Sequence, residues 1–354
     1  MRPKIGVDLR PLLEDFESGV KVYTREMLLE MMKNSDFEFD LFYQSSKKFE
    51  KIHQIFPSAR HIPISNFVFN LKSIFSFQLL PDHYFDRKPN LIWIPDRRPF
   101  YKTNIPIVMT IHDFVPELFS SSMSLKARIW HIFFSYKRLK KLCSGILVPS
   151  LSTASSLGLD AAPFEVTFEG AKISKNADAP LKSKKIISKD FFLSISPADP
   201  RKGLKRIYKL AKFFPNLNFV IAGYKKNDKR FSIFKEKKYP NLIILNEVSE
   251  EEKTWLFKHT RALLALSDYE GFDLPVLEAI KAKSSVILSD ISVHRELYIS
   301  NFFVKSQEEL ILAVKKVSMG YGQIPKMRGN YSWENASKRG LLFFTRVINN
   351  ENRK

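Results

Sequence analysis

Cysteine and glycine are scarce in this chain of 354 residues. One cysteine, Cys143, excludes a disulfide framework and fits a reducing compartment. No apolar run approaches the ~18 residues of a spanning helix. The opening Met1-Arg2-Pro3-Lys4-Ile5 lacks the apolar stretch of a signal peptide. A cytoplasmic location is therefore expected, free or peripheral on the cytoplasmic membrane face. No G-x-G-x-x-G follows the first apolar strand, which argues against a dinucleotide-dependent dehydrogenase. No His/Cys/Asp/Glu cluster has metal-ligand spacing and no Asp-x-Asp is present, so no metal and no other cofactor is expected. Zinc-finger spacings and aromatic RNA-binding signatures are missing, and nucleic acid is not an expected partner.

What the chain does have is apolar content and positive charge. Hydrophobic residues make up 44% and the net charge is +20. Residues 1–175 hold 24 Lys and Arg against 18 Asp and Glu, and the remainder holds 33 against 19. The basic residues of the second half cluster at Lys182–Lys189, Arg201–Lys212 and Lys225–Lys238. Such a surface attracts phosphates and anionic lipid. A helical pattern over Leu125–Leu142 mixes Lys and Arg with Trp130, Phe133 and Phe134. Its aromatics are expected to pack on a sheet, with its basic end nearer an anionic membrane.

Apolar strand-like segments alternate with helical patterns throughout. The first half offers Ile5–Leu9, Phe39–Tyr43, Leu91–Ile94, Ile107–Ile111, Ile146–Pro149 and Glu165–Phe168. The second offers Phe191–Ile195, Leu217–Ala222, Leu242–Leu245, Ala262–Leu266, Val286–Leu288 and Phe302–Val304. Helical patterns include Val20–Met32, Leu204–Phe214, Glu250–Lys258 and Trp333–Ile348, and Ser249/Glu252 and Ser306/Glu309 read as capping boxes. This rhythm implies an α/β protein with parallel, doubly wound sheets. The polar stretch Lys172–Lys189 interrupts it and reads as a linker. Two Rossmann-like domains facing a cleft follow, over 1–175 and 176–330, with residues 331–354 as a terminal helix.

Residues 267–278, Ser-Asp-Tyr-Glu-Gly-Phe-Asp-Leu-Pro-Val-Leu-Glu, carry the densest chemistry. Glu270 lies in a turn with Gly271, Pro275 fits the first position of a helix, and Glu278 falls about one turn on. A helix N-terminus offers N–H groups and a positive dipole end to a phosphate. Carboxylates on either side accept hydrogen bonds from hydroxyls. A nucleotide sugar, with phosphates between two hydroxyl-bearing rings, fits that pattern. His112 and Asp113 stand where the strand candidate Ile107–Ile111 runs into a loop. A histidine there can orient a substrate, and the Asp can bind an acceptor. Arg201 and Lys202 precede Gly203 at the opening of a helical pattern. Cations oppose the dipole there unless an anion lies in front of them. Gly19, before the first helical pattern, allows close approach of a phosphate or acceptor.

Taken together these segments resemble the retaining glycosyltransferases of family 4, the group 1 glycosyltransferases, with their E-x7-E motif. The resemblance runs from Ile5 to about Val347 and includes Tyr331-Ser332-Trp333-Glu334. It implies the GT-B fold, with the terminal helix returning to the first domain. It further implies that Glu270 contacts the transferred sugar, Glu278 the nucleotide ribose, and Arg201 and Lys202 the donor diphosphate. Gly271, Phe272, Asp273 and Leu274 complete the donor turn, and His112 touches the sugar. The implied reaction moves a hexosyl group, mannose or rhamnose favoured, from a GDP-, UDP- or dTDP-sugar. The implied acceptor is a saccharide or lipid-linked saccharide of surface polysaccharide or lipopolysaccharide synthesis. Four positions depart from the pattern. Lys21 replaces a glycine of the first loop, and Asp273 replaces a glycine before Leu274. Lys283-Ser284-Ser285 replaces Gly-x-Pro, and Ile195-Ser196 replaces a glycine-bearing strand end. Lys283, Ser285 and Lys21 among them motivate an alternative, a non-catalytic subunit that binds a nucleotide sugar or a glycan.

Overall fold

Short, doubly buried apolar runs dictate parallel sheets here. Leu-Ile-Trp-Ile and Ala-Leu-Leu-Ala, each buried along its whole length, have no face to offer to water. The computed structural model describes residues 2–14, 17–33, 36–65, 68, 85–98, 100, 103–114, 141–159, 163–179, 191–195, 199–224, 239–351 and 353. The chain divides into one unit of Met1–Glu169 with Tyr331–Lys354, and a second of Gly170–Asn330. The division falls after Glu169 rather than after 175. The reason is local: Lys281 donates to the Ala171 carbonyl (2.7 Å) and the Ser174 amide donates to Thr254 (3.1 Å), which ties this stretch to the second unit.

In the first unit, β1 (Lys4–Asp8), β2 (Glu38–Gln44), β3 (Arg60–Ile62), β4 (Leu91–Ile94), β5 (Ile107–Thr110), β6 (Gly145–Val148) and β7 (Phe164–Val166) form one sheet. Its order is β3-β2-β1-β4-β5-β6-β7, and neighbours pair in parallel. Helices α1 (Gly19–Lys33), α2 (Glu50–Ile55) and α3 (Leu151–Ser156) belong to this unit. Ser18 caps α1, accepting from the Lys21 amide at 3.1 Å.

The second unit holds β8 (Phe191–Ile195), β9 (Asn218–Tyr224), β10 (Leu242–Asn246), β11 (Ala262–Ala265), β12 (Val286–Ser289), β13 (Tyr298–Ile299), β14 (Phe303–Val304) and β15 (Lys326–Met327). Six of these make a parallel sheet ordered β10-β9-β8-β11-β12-β14, and β13 and β15 pair as a small antiparallel ladder. Its helices are α4 (Leu204–Phe213), α5 (Glu250–His259), α6 (Leu274–Lys281), α7 (Ser292–Leu297) and α8 (Gln307–Ser318). Both expected capping boxes form, at the starts of α5 and α8. The sheet order reverses between β8 and β11. Ligands of open α/β sheets bind outside the strand carboxyl ends at such a switch point.

The last helix, α9 (Trp333–Glu351), packs on α1 within the first unit. Trp333, Ala336, Gly340, Phe343, Phe344 and Val347 make its buried stripe, at the three- and four-residue spacing of one helix face. A Cβ at Gly340 would stand 2.6 Å from Met31 Cε and 2.9 Å from Met27 Cε, so the glycine sets how closely the two helices approach. Burial of each large side chain on this stripe contributes about 2 kcal/mol.

Each strand expected from the sequence is present, with ends displaced by a residue or two. The short β3, β13 and β15 were not anticipated. Ser196, most of Leu125–Leu142, the cluster Lys182–Lys189 and the cluster Lys225–Lys238 lie outside the described residues.

Candidate functional site

The second unit brings Arg201, Lys202 and the turn 268–273 to the switch point. Arg201 and Lys202 follow β8, and the turn follows β11, its neighbour in the sheet. Pro200–Lys202 is a 3-10 turn, and Gly203 (φ 66°) breaks the chain before α4 begins at Leu204. A Cβ at Gly203 would sit on the Leu266 carbonyl oxygen, so glycine alone lets this loop approach β11. The Asp268 amide donates to the Arg201 carbonyl (2.8 Å), and Arg201 Nη1 donates to the Tyr269 carbonyl (3.3 Å). The two loops are thus one hydrogen-bonded surface.

Arg201 and Lys202 lie in the 3-10 turn just before α4 rather than on its first residues. They face carboxylates of the protein. Arg201 donates to Asp199 from Nη2 (2.6 Å) and Nε (3.1 and 3.2 Å), while Asp199 caps the turn by accepting from the Arg201 amide (3.0 Å). Burial opposes ionisation of Asp199, but Arg201 outweighs it and holds the carboxyl below its usual value. Lys202 Nζ pairs with Glu270 Oε1. Burial disfavours the ammonium, yet Glu270 and Asp273 outweigh that and raise its pKa. Lys202, Asp273, Pro275, Ser194 and the Leu263–Ser267 segment line a small pocket here.

Asp273 occupies a left-handed backbone conformation, φ 71°. That geometry explains why the resembling family carries glycine at this point. Here the aspartate has a partner: its Oδ2 lies 3.0 Å from His294 Nε2, and His294 is fully buried. His294 Nδ1 donates to the Ser289 carbonyl (2.9 Å), and Ser289 Oγ donates to the Ser267 carbonyl (2.6 Å). Burial works against the Asp273 carboxylate, but the His294 bond and the Lys202 charge hold it below the ordinary range. The turn is therefore pinned from beneath by α7 and β12. Gly271, Phe272 and Leu274 are buried in it.

Helix α6 begins at Leu274, so Pro275 is its second residue rather than its first. Proline leaves one N–H absent, and the Val276 amide donates to the Asp273 carbonyl (3.0 Å). The helix start therefore contributes its dipole more than a row of free N–H groups. Glu278 is 6% exposed. Its Oε1 accepts from Lys253 Nζ at 2.8 Å, and Lys253 also donates to Glu250 at 2.9 Å. Burial pushes the Glu278 carboxyl up to about 7, although Lys253 draws it down. At the far end of α6 the Lys283 amide bonds Ile280 O (3.0 Å) and the Ser284 amide bonds Ala279 O (2.9 Å), with Lys283 left-handed at φ 62°. This is a Schellman cap with lysine in the glycine position.

The first unit holds His112, Asp113 and Gly19. His112 follows β5, and its Nε2 donates to the Pro95 carbonyl (2.9 Å) at the end of β4. Its Nδ1 lies 3.5 Å from Glu169 Oε1, and Tyr23 packs edge-on against the ring at 4.6 Å. Burial disfavours the imidazolium, but Glu169 outweighs it and raises the pKa. Both ring nitrogens thus face acceptors of the protein. Asp113 is half-buried at the same strand end, and Gly19 is exposed as the first residue of α1. Lys21, where a glycine was expected, donates from Nζ to the Glu14 carbonyl at 2.8 Å and closes that loop on itself.

Glu270, Arg201, Lys202 and Asp273 meet in one place, and Glu278 lies along the helix that starts there. Sequence reasoning missed Asp199, Lys253, Glu169 and His294. Asp199-Pro200 is a turn signal that pointed to the first. Nothing local pairs Lys253 with a residue on another helix. Asp273 in a glycine position was the one hint of a partner such as His294.

The two Rossmann-like units constitute the GT-B fold, and solved structures share it along nearly the whole chain. Sucrose-phosphate synthase of Thermosynechococcus elongatus superposes with a TM-score of 0.66 at 14% identity, covering 99% of this chain and 98% of that one. Anabaena Alr3699/HepE, in complex with UDP and glucose, gives 0.61 at 12% identity, covering 100% and 98%. Residues 178–325 match the family model of the glycosyl transferases group 1. The O-antigen chain mannosyltransferase RfbU of Salmonella typhimurium is 26% identical over 244 residues, 64% of this chain and 66% of RfbU, just short of two thirds of that relative's length. Fold, family match and relative support one class, the GT-B glycosyltransferases.

Proposed function

We propose that this protein transfers a hexosyl group, mannose or rhamnose by preference, from a nucleotide sugar to a saccharide acceptor with retention of anomeric configuration. One observation carries the reading: Lys202 and Glu270 pair across the β8/β11 switch point, at the head of the helix that bears Glu278. A cation, a sugar-facing carboxylate and a second carboxylate one helical turn on suit a sugar, a diphosphate and a ribose in sequence.

In this reading the ligand-free pair is a stored exchange. An arriving diphosphate takes over Lys202, and Glu270 is released to accept from the sugar hydroxyls and to stabilise positive character at the anomeric carbon. Arg201, braced by Asp199, adds charge beside the leaving phosphate. Glu278 accepts from the ribose hydroxyls. His112 is assigned to the sugar, and Asp113 and Gly19 to the acceptor or a phosphate. The preference for mannose rests on likeness to a relative named as an O-antigen chain mannosyltransferase. Lipopolysaccharide or another surface polysaccharide, built on the cytoplasmic membrane face, is the corresponding destination. The basic surface suits peripheral contact with anionic lipid. Among the described residues no helix is long and apolar enough to cross a membrane.

Thermal stability measured against GDP-, UDP- and dTDP-sugars tests the donor site. One nucleotide should raise the melting temperature of the wild type and leave Glu278→Ala unmoved. NMR of the glycoside then reads the anomeric configuration. An inverted product overturns retention, and a protein stabilised by no nucleotide sugar overturns the donor site itself.

A further inference from the structure

Lys253 projects from α5 to the buried carboxylate on α6. Its Nζ lies 2.8 Å from Glu278 Oε1 and 2.9 Å from Glu250 Oε1, so one ammonium ties three side chains across two helices. Lys253 and Glu278 side chains are 15% and 8% exposed, while Glu250 is 45% exposed and open to solvent. Among the described residues Lys253 is the cation in contact with Glu278, and Oε2 of Glu278 accepts no bond. One oxygen of the carboxylate is held by the lysine.

We propose that Lys253 is a positioning residue of the donor site, the cation that keeps a carboxylate at Glu278 with one oxygen turned to the nucleotide. The proposal rests on the donor-site reading above. The groups acting on Glu278 are Lys253 and Glu250 from α5 and Asp273 at the head of α6. Burial and the two carboxylates favour the acid, and Lys253 alone opposes them. Lys253 itself stays charged: burial disfavours the ammonium, but Glu278 and Glu250 outweigh it and raise its pKa. A protonated Glu278 would hold its proton between the helices and accept poorly from a ribose hydroxyl. Occupancy of the site is thereby linked to the state of a carboxyl that titrates at about 7.

The test uses the full chain and three probes, GDP-mannose, UDP-glucose and dTDP-rhamnose. Their diphosphates are diesters with no ionisation near neutrality, so a pH profile between 6 and 8.5 belongs to the protein. Affinity is measured by calorimetry for wild type, Lys253→Met, Lys253→Arg and Glu278→Gln, with unliganded melting at each pH to establish folding. Wild-type affinity for the bound probe should rise with pH through about 7. Loss of a cation at this distance raises a carboxyl pKa by about one unit or more. At one unit, Lys253→Met should weaken binding about fivefold at pH 7 and only about 1.3-fold at pH 8.5. Lys253→Arg should restore the wild-type profile. An equal loss for Lys253→Met at every pH would reduce Lys253 to a brace between helices and overturn the proposal. If Glu278→Gln binds like wild type with the same pH dependence, or no probe binds wild type, the donor-site reading falls instead.

Discussion

Asp273 and Lys283 allow backbone strain to be separated from a side-chain partnership. Both have left-handed backbones, at φ 71° and 62°, where an L side chain costs about 1–2 kcal/mol. Glycine removes that cost but loses about 0.5–1 kcal/mol more conformational entropy on folding. Lys283 is exposed, and its substitution leaves both Schellman bonds in place. Lys283→Gly should therefore stabilise the second unit by about 0.5–1 kcal/mol, or roughly 2 °C in melting temperature. Asp273→Gly relieves the same strain but deprives buried His294 of its partner. An unsatisfied buried group costs about 1–3 kcal/mol, so this variant should lose roughly 1–2 kcal/mol, or about 4 °C. Differential scanning calorimetry at pH 7.5 and below pH 4 is the assay. The folded Asp273 carboxyl lies below its ordinary value. Its contribution is then present above the unfolded pKa, near 4, and lost as pH falls through the folded one. The deficit of Asp273→Gly should accordingly narrow in acid. If Asp273→Gly proves as stabilising as Lys283→Gly, the His294 pair contributes nothing and the account of a pinned turn is wrong.

Two further substitutions probe the buried charges. Glu278 has a folded pKa raised to about 7, so stability present below its unfolded pKa is lost as pH rises toward 7. Glu278→Gln should gain about 3 kcal/mol at pH 8, gain nothing near pH 4, and lose the stabilisation by nucleotide sugar; thermal melts across pH with and without donor decide it. Lys202→Met leaves Glu270 without its cation and should cost about 3 kcal/mol. The double variant Lys202→Met/Glu270→Gln should recover most of that in denaturant titration while transferring no sugar. Recovery of transfer by the double variant would remove both residues from the chemistry.

Much of the arrangement was legible locally. Alternating apolar runs announced parallel sheets because a strand covered on both faces has no polar side to show. Ser249/Glu252 and Ser306/Glu309 announced helix starts because the cap is made within four residues. The strand–turn–helix unit that carries Glu270 and Glu278 was legible from its apolar run, Gly271 and Pro275. Arg201 and Lys202 were read as facing a phosphate; in the ligand-free chain they pair with Asp199 and Glu270, which no local pattern announced for Glu270.

The sequence by itself determined the element types, the two-unit division and the chemistry available at the strand ends, because each depends on near neighbours. Only the tertiary structure decided which charges meet. Sheet order put β8 beside β11, and so Lys202 against Glu270, 68 positions further along the chain. Packing of α5 on α6 gave Glu278 its lysine, and packing of α7 beneath the turn gave Asp273 its histidine. Those pairings set the pKa shifts. They are long-range consequences of burial, and no window of sequence contains both partners.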